Sequence, residues 1–166
     1  FVVSMKSAKI PLVCLPLNGS YTYDNVGTDN LATSEMMLSY LFERGHRNII
    51  FATCRDLDRI PSFALRRAGY SMAMEKNGLK PEIIFADHNY WQGPDEEKLL
   101  LDKINSMKAG GRAPTCIFSS VHTPVVEFLA LLKRNSLKVP EDISLCSFGC
   151  TPSTSTIVSK FRVGSL

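Results

Sequence analysis

The sequence predicts an α/β protein with a Rossmann-like, doubly wound parallel sheet. Short apolar runs, of the kind that fill strands buried on both faces, alternate along the chain with longer amphipathic patterns of helical period. The connections between them are short, and no repeat, low-complexity tract or flexible linker interrupts the order. Such alternation favours a parallel sheet with helices on both faces and right-handed crossovers.

Composition limits the classes that need to be considered. The 166 residues suit one domain, and 45% hydrophobic with 21% charged residues is ordinary for a globular protein. The net charge of +3 comes from scattered basic residues, so this segment itself does not resemble a nucleic-acid-binding surface. The apolar runs are too short for a membrane helix. Five cysteines without metal-type spacing favour a reduced, cytoplasmic setting.

The clearest structural unit covers residues 26–53. Asp29 and Asn30 provide short polar side chains that cap a helix, and apolar positions then recur at spacings of three and four over residues 30–44. Gly45 ends this helix, because glycine adopts the left-handed conformation at little cost. The run NIIFAT, residues 48–53, follows as a buried strand.

The remaining elements follow the same alternation. Before this unit, Phe1 to Lys9 is predicted as the end of a helix and Leu12 to Leu15 as a strand, followed by a polar loop up to Val26. After it we predict a polar loop over 54–62, a helix over 62–77, a strand over 81–86, a helix from Pro94, a strand over 115–119, a helix capped by Thr123 with Pro124 in its first position, a strand over 143–147 and a strand-like piece at 156–158.

Ligands of such sheets bind outside the carboxyl ends of the strands. The segments there are residues 53–58, 87–91, 119–122 and 148–151. The chain has no GxGxxG or GxxxxGK[ST] phosphate-binding motif and no GxSxG nucleophile elbow. His46, His88 and His122 are dispersed, without metal-ligand spacing. We therefore predict a protein that is not an enzyme, with no cofactor and no metal site.

Five segments, in order, carry a resemblance to a known family: VGTDN, LFERGHRNIIF, RRAGYSMAMEKNGL, PTCIFSS and LKVPEDISLCSFG. The sequence resembles the effector-binding domain of LacI/GalR-type bacterial transcriptional regulators over residues 10–160. RGHRNI and KVPEDIS, in this order and spacing, are the most specific pair. The resemblance implies a periplasmic-binding-protein-like fold of two α/β lobes with a small molecule bound between them.

The resemblance also implies a domain division. Residues 1–28 would be the end of the first lobe and the crossover, 29–155 the second lobe, and 156–166 a return segment toward the first lobe. Thr28 and Asp29 would then lie at the hinge. The chain is expected to be a fragment, with the DNA-binding head outside it.

The family pattern transfers to few positions. Arg66 lies where the family commonly has an effector-binding arginine, although a solvated helix arginine is the simpler alternative. Trp91 lies where the family often has an aromatic residue that stacks on the ligand, and a core or interface tryptophan is equally compatible. His122 is either a ligand contact or, as we favour, a solvated side chain. Gly149, after the fourth strand of the repeating series, completes the predicted effector site.

Several positions depart from the family. Ser120-Val121-His122 replaces the usual Ala-Asn-Asp, and Phe148-Gly149-Cys150 replaces an aromatic residue followed by two aspartates. The missing carboxylates are the groups that accept hydrogen bonds from sugar hydroxyls. An anionic or more apolar effector therefore fits Arg66, Arg55, His122 and Trp91 better than a sugar does. A pocket that no longer binds anything is the other interpretation.

Three functions remain open at this point. The first is the effector-binding and dimerisation domain of a transcriptional regulator, a homodimer that binds DNA through a domain outside this chain. The second is an extracytoplasmic solute-binding protein of a transporter, which shares the fold. The third is a degenerate lobe that only mediates dimerisation.

Overall fold

A five-stranded parallel sheet is the centre of the structure. The computed structural model describes residues 11, 13–15, 24–87, 91–149 and 164–165. The strands are β1 (Val13–Cys14), β2 (Asp24–Asn25), β3 (Ile49–Cys54), β4 (Glu82–Ala86), β5 (Cys116–Ser119), β6 (Ser144–Ser147) and β7 (Gly164–Ser165). The helices are α1 (Asn30–Glu43), α2 (Arg55–Asp58), α3 (Pro61–Lys76), α4 (Pro94–Ala109) and α5 (Val125–Arg134).

The strand order β4-β3-β5-β6-β7 confirms the doubly wound arrangement. From β3 the chain goes first to β4, on one side of β3, and then to β5, on the other side of β3. The strands β6 and β7 continue in the direction of β5. The direction of winding therefore reverses between β3 and β5, where Ile50 pairs with Ile117. The short strands β1 and β2 pair with each other in parallel, as a separate two-stranded sheet.

Alternating side chains of the central strands fill two cores, one on each face of the sheet. One contains Ile50 and Ile117 with apolar residues of α4 and α5. The other contains Phe51 and Phe118 with apolar residues of α1 and α3. In this core the ring centroids of Phe51 and Tyr70 lie 5.0 Å apart. Because the strands are buried on both faces, their sequences are continuously apolar rather than alternating.

The predicted helices and strands agree closely with those observed between residues 30 and 147. The Asp29 carboxylate accepts a hydrogen bond from Ala32 N at 3.0 Å, as predicted for a helix cap. Gly45 follows the helix with φ of +85°.

Three predictions about local structure were wrong. The expected polar loop after β3 contains α2, which begins where the Cys54 thiol accepts a hydrogen bond from Leu57 N at 3.4 Å. The expected loop before Val26 contains β2, because Asp24 and Asn25 pair with Val13 and Cys14 of β1. Pro124 precedes the first residue of α5 instead of occupying its first position.

Other expectations lie outside the described residues: the helix end before Lys9, the strand-like piece at 156–158, and the side chains of His88 and Cys150. The division into 1–28, 29–155 and 156–166 stays a prediction. In the last of these ranges, Gly164–Ser165 pairs in parallel with β6. No helix of the described residues is long and apolar enough to cross a bilayer.

Candidate functional site

Hydrogen bonds tie the carboxyl ends of β3 and β5 together at the point where the winding reverses. Ser120 N donates to Ala52 O at 2.9 Å, and Ser120 Oγ donates to Thr53 Oγ1 at 2.9 Å. Ser120 is fully buried. This is the position in an open parallel sheet where a crevice for a ligand is expected, and the hydrogen bonds give it a rigid floor.

Arg66 of α3 lies on this floor. Its Nη1 donates to Ser120 O at 2.7 Å, and its Nε donates to Asn30 Oδ1 at 2.8 Å. Its Cζ lies 4.4 Å from the centre of the Phe148 ring and 4.7 Å from that of Phe63. The side chain is therefore fixed by two hydrogen bonds and by two aromatic faces that favour a cation.

The positive charge of Arg66 has no carboxylate partner among the described residues. Both protein acceptors that hold it, an amide oxygen and a backbone carbonyl, are neutral. Burial lowers the pKa of the Arg66 guanidinium, which nevertheless stays protonated because an arginine pKa is far above neutrality. The structure thus presents an uncompensated, half-buried cation.

Asn30 joins Arg66 to the segment that enters the sheet. It is 8% exposed, and its Nδ2 donates to Thr28 O at 3.0 Å while its Oδ1 accepts from Arg66. Thr28 and Asp29 therefore lie at the same edge as Arg66. The hinge role of these two residues stays a prediction.

The packing of α1 against α3 positions Arg66. Ser34 Oγ donates to Arg66 O at 2.8 Å, and the helices cross so closely that a Cβ built on Gly69 would lie 2.7 Å from both Leu31 O and Ser34 Cβ. Only glycine accommodates this approach without displacement of a helix.

Ser62 is a residue that the sequence analysis missed. It lies one turn before Arg66 in the first turn of α3, and its buried Oγ has no hydrogen-bond partner among the described residues. Residues four apart share one face of a helix, so this spacing was available in the sequence. Unpaired buried hydroxyls are rare, because they lose their hydrogen bonds to water. Ser62 is therefore a candidate ligand contact beside Arg66.

The structure brings three of the four predicted effector-site residues together. Gly149 has φ of +70°, and a Cβ built on it would lie 3.7 Å from His122 Nδ1. Phe148, immediately before Gly149, contacts the Arg66 guanidinium. Arg66, His122 and Gly149 thus surround the carboxyl ends of β5 and β6.

Trp91 is placed elsewhere. It is 4% exposed and belongs to the core formed with α4 and α5. Its ring lies edge-on to the Phe128 ring, with the ring centroids 5.0 Å apart. This packing favours the core alternative over a ligand-stacking surface. Arg55, the other arginine considered, pairs with Asp87 at 3.1 Å through largely exposed side chains, so its charge is already matched.

The remaining members of the site could not be read from local sequence. Asn30 was predicted only as a cap, and its contact with Arg66 joins residues 36 positions apart. The Ser120–Thr53 contact spans 67 positions. Within the described residues, no three His, Cys, Asp or Glu side chains are grouped to hold a metal ion.

A parallel sheet with polar groups at its switch point is the architecture of an α/β ligand-binding domain. Comparison with known proteins makes this specific: residues 38–163 match the profile of the periplasmic binding protein-like domain. The chain belongs to this family. The resemblance to the effector-binding domain of LacI-type regulators is confirmed by the relatives and structures that follow.

The curated relatives include two regulators. The chain is 27% identical over 150 residues to the HTH-type transcriptional repressor CytR of Escherichia coli K12, covering 84% of this chain and 41% of that protein. It is 26% identical over 139 residues to the NTD biosynthesis operon regulator NtdR of Bacillus subtilis, covering 82% and 40%. The chain thus spans about two fifths of the length of these relatives.

Solved structures show the same fold. A PurR family transcriptional regulator from Vibrio parahaemolyticus superposes with a TM-score of 0.76 at 18% identity, over 99% of this chain and 60% of that one. At this identity the likeness establishes the fold alone.

Proposed function

We propose that this chain is the effector-sensing part of a cytoplasmic, homodimeric LacI-type transcriptional regulator that binds DNA through a domain outside the chain. The observation that carries the proposal is the uncompensated Arg66 guanidinium at the switch point, held by Ser120 O and Asn30 Oδ1. The names of the curated relatives, a transcriptional repressor and an operon regulator, support it. They also favour it over the transporter-linked solute-binding alternative.

The site favours an effector with an anionic group. Arg66 uses Nε and Nη1 for protein acceptors, while its Nη2 donates to no atom of the described residues. Guanidinium binds carboxylates and phosphates through paired donors, and the neighbouring Ser62 hydroxyl can add a third. A neutral sugar would leave the half-buried charge unmatched.

Effector binding would be communicated to the rest of the regulator through a population shift. Arg66, Asn30 and Thr28 form a hydrogen-bonded series from the site to the predicted hinge. A ligand that binds the Arg66 guanidinium better in one arrangement of the lobes favours that arrangement by its difference in affinity. His122 and Gly149, which follow β5 and β6, would shape the access to the site.

The proposal is tested by ligand screening followed by substitution of Arg66. In thermal-shift measurements, a panel pairs each small carboxylate or phosphate ester with a neutral analogue, and we expect stabilisation by anionic members. Arg66→Ala should then weaken the best ligand by about 2–3 kcal/mol in titration calorimetry, the scale for leaving a charged partner unmatched.

Arg55→Ala is the matched control, because it removes an arginine from the same end of the sheet whose charge is already paired with Asp87. Its ligand affinity should equal that of the unmodified chain. Unchanged affinity in Arg66→Ala, or stabilisation only by neutral compounds, would contradict the proposed site.

A further inference from the structure

A second polar cavity lies at the amino ends of β3 and β4. It holds about 300 Å³ and is bordered by residues that precede β3, residues that precede β4 and residues at the end of α4. The two strands are parallel, so this cavity is at the opposite edge of the sheet from the Arg66 site. Its volume is at the lower end of the roughly 300–1,000 Å³ that is typical of small-molecule sites, which suits a compact ligand.

This cavity carries an excess of positive charge. Arg47, Lys80 and Arg112 line it together with the carboxylate of Glu82, which also binds Lys103 of α4. Glu82 is ionised at neutral pH, because burial raises its pKa less than the hydrogen bonds from Lys103 and Arg112 lower it. Four cations therefore surround one carboxylate, and three positive charges are left unmatched within this group.

The internal contacts leave donors of these cations unused. Arg47 Nη1 donates to Phe42 O at 2.8 Å and to His46 O at 2.9 Å, while its Nε and Nη2 donate to no atom of the described residues. Within the same part of the chain Arg112 uses only Nη1, on Glu82 Oε1. Lys80 Nζ lies 3.5 Å from Glu82 Oε1, and its side chain is 70% exposed. The unused donors can therefore bind a further anion.

Structural roles account for only part of this charge. Cations near the C-terminus of a helix are favoured by its dipole, and Arg47 has this role at the end of α1. Lys103 and Arg112 neutralise the buried Glu82. Lys80 has neither role, because it donates to no helix carbonyl among the described residues and Glu82 already has two closer partners.

We propose that this cavity binds a small molecule that carries a phosphate or diphosphate group, with Arg47, Lys80 and Arg112 as its contacts. Guanidinium binds phosphate oxygens through paired donors, and a lysine ammonium adds a point charge. A group with two or more negative charges offsets most of the excess, whereas a single carboxylate offsets one charge. The site is separate from the effector site and goes beyond the proposed function.

Titration calorimetry of the 166-residue chain with pyrophosphate tests this site. We expect a dissociation constant of about 1 mM or lower at low salt, and binding of acetate at least about tenfold weaker. Lys80→Gln should weaken pyrophosphate binding at least about fivefold, and Lys80→Arg should keep it within about twofold because the charge is retained. Lys80 is exposed, so both variants should keep their melting temperature.

Lys98→Gln is the matched control, because it removes the same charge from an exposed position of α4 that does not line the cavity. Its affinity for pyrophosphate should equal that of the unmodified chain. No binding at ~10 mM pyrophosphate, equal losses in Lys80→Gln and Lys98→Gln, or acetate bound as tightly as pyrophosphate would each overturn the proposal.

Arg66→Ala separates this site from the effector site, which is also cationic. Pyrophosphate binding that persists in Arg66→Ala and remains sensitive to Lys80→Gln supports the second site. Binding that is lost in Arg66→Ala and unaffected by Lys80→Gln would place the anion at Arg66, which overturns this proposal and leaves the effector proposal intact. If pyrophosphate binds through Lys80 but no compound binds through Arg66, the effector proposal fails alone.

Discussion

At the scale of single residues, the neutrality of the groups around Arg66 decides the chemistry of the site. A buried arginine ordinarily faces a carboxylate, yet Arg66 is held by Asn30 Oδ1 and Ser120 O. The loss of family aspartates was visible in the sequence. That the acceptors of Arg66 would be Asn30 Oδ1 and Ser120 O, neither of which carries a charge, was not.

Changing Asn30 to aspartate tests this point. Asn30→Asp keeps an acceptor for Arg66 Nε but adds a negative charge to the guanidinium. We expect affinity for an anionic ligand to fall about tenfold or more, because the ligand then competes with an internal ion pair. Titration calorimetry measures the change.

The control for net charge is Asn105→Asp, at an exposed position of α4. Affinity equal to that of the unmodified chain is expected there. An equal loss of affinity in both variants would mean that overall charge, not the contact with Arg66, controls binding.

At the scale of elements, the site depends on the closeness of α1 and α3. Ser34 and Gly69 let the helices approach until the Ser34 hydroxyl reaches Arg66 O at 2.8 Å. The amphipathic patterns predicted each helix. The patterns contained no information on where α1 and α3 cross. Gly69 did not reveal the crossing either, because a glycine is equally compatible with a turn, a cap or a close approach of two helices.

Gly69→Ala should separate the two helices. The added Cβ would lie 2.7 Å from Leu31 O, which is backbone and cannot rotate away. We expect a loss of about 1–3 kcal/mol in the free energy of unfolding, the usual cost of overpacking, together with weaker ligand binding. Urea unfolding monitored by circular dichroism measures the first effect.

Gly110→Ala is the comparison, because its nearest atoms are 3.5 Å away and its φ is −80°. Its stability should change little. A Gly69→Ala variant as stable as Gly110→Ala would show that the helices adjust without cost.

At the scale of the whole molecule, a buried carboxylate of the sheet connects elements that are separate in sequence. Glu82, at the start of β4, binds Lys103 of α4 and accepts from Arg112 at 2.8 Å. Its own backbone N donates to the Tyr70 hydroxyl at 2.9 Å. Burial would raise the pKa of Glu82, but the hydrogen bonds from Lys103 and Arg112 outweigh it and lower the pKa below its usual range.

This lowered pKa gives stability a defined pH dependence. The unfolded chain takes up the proton at a higher pH than the folded one, so the contribution is complete above about pH 4.3 and is lost as the pH falls toward the folded value. Glu82→Gln should reduce the free energy of unfolding by about 1–3 kcal/mol at pH 7 and flatten its acid slope.

Unfolding at several pH values measures both effects, with Glu43→Gln, at an exposed position of α1, as the control. Parallel acid slopes for Glu82→Gln and the unmodified chain would contradict the role of this carboxylate.

The sequence by itself determined the α/β class, the helices and strands between residues 30 and 147 with the exception of α2, and the end of the sheet where the candidate site lies. These depend on periodicity and on caps, which act over a few residues. It also indicated Arg66 through a family resemblance. Local pattern failed at β2, which pairs with the separate strand β1, and at α2, whose cap is the Cys54 thiol instead of a Ser, Thr, Asp or Asn side chain.

Tertiary structure decided which candidate residues lie close together. It joined Arg66 to Asn30 and Ser120 across 36 and 54 positions, added Ser62, and buried Trp91 against Phe128. The physical reason is that the charge balance of a buried group depends on all the atoms within a few ångströms of it. Those neighbours are set by how helices and strands pack, which periodicity along the chain does not encode.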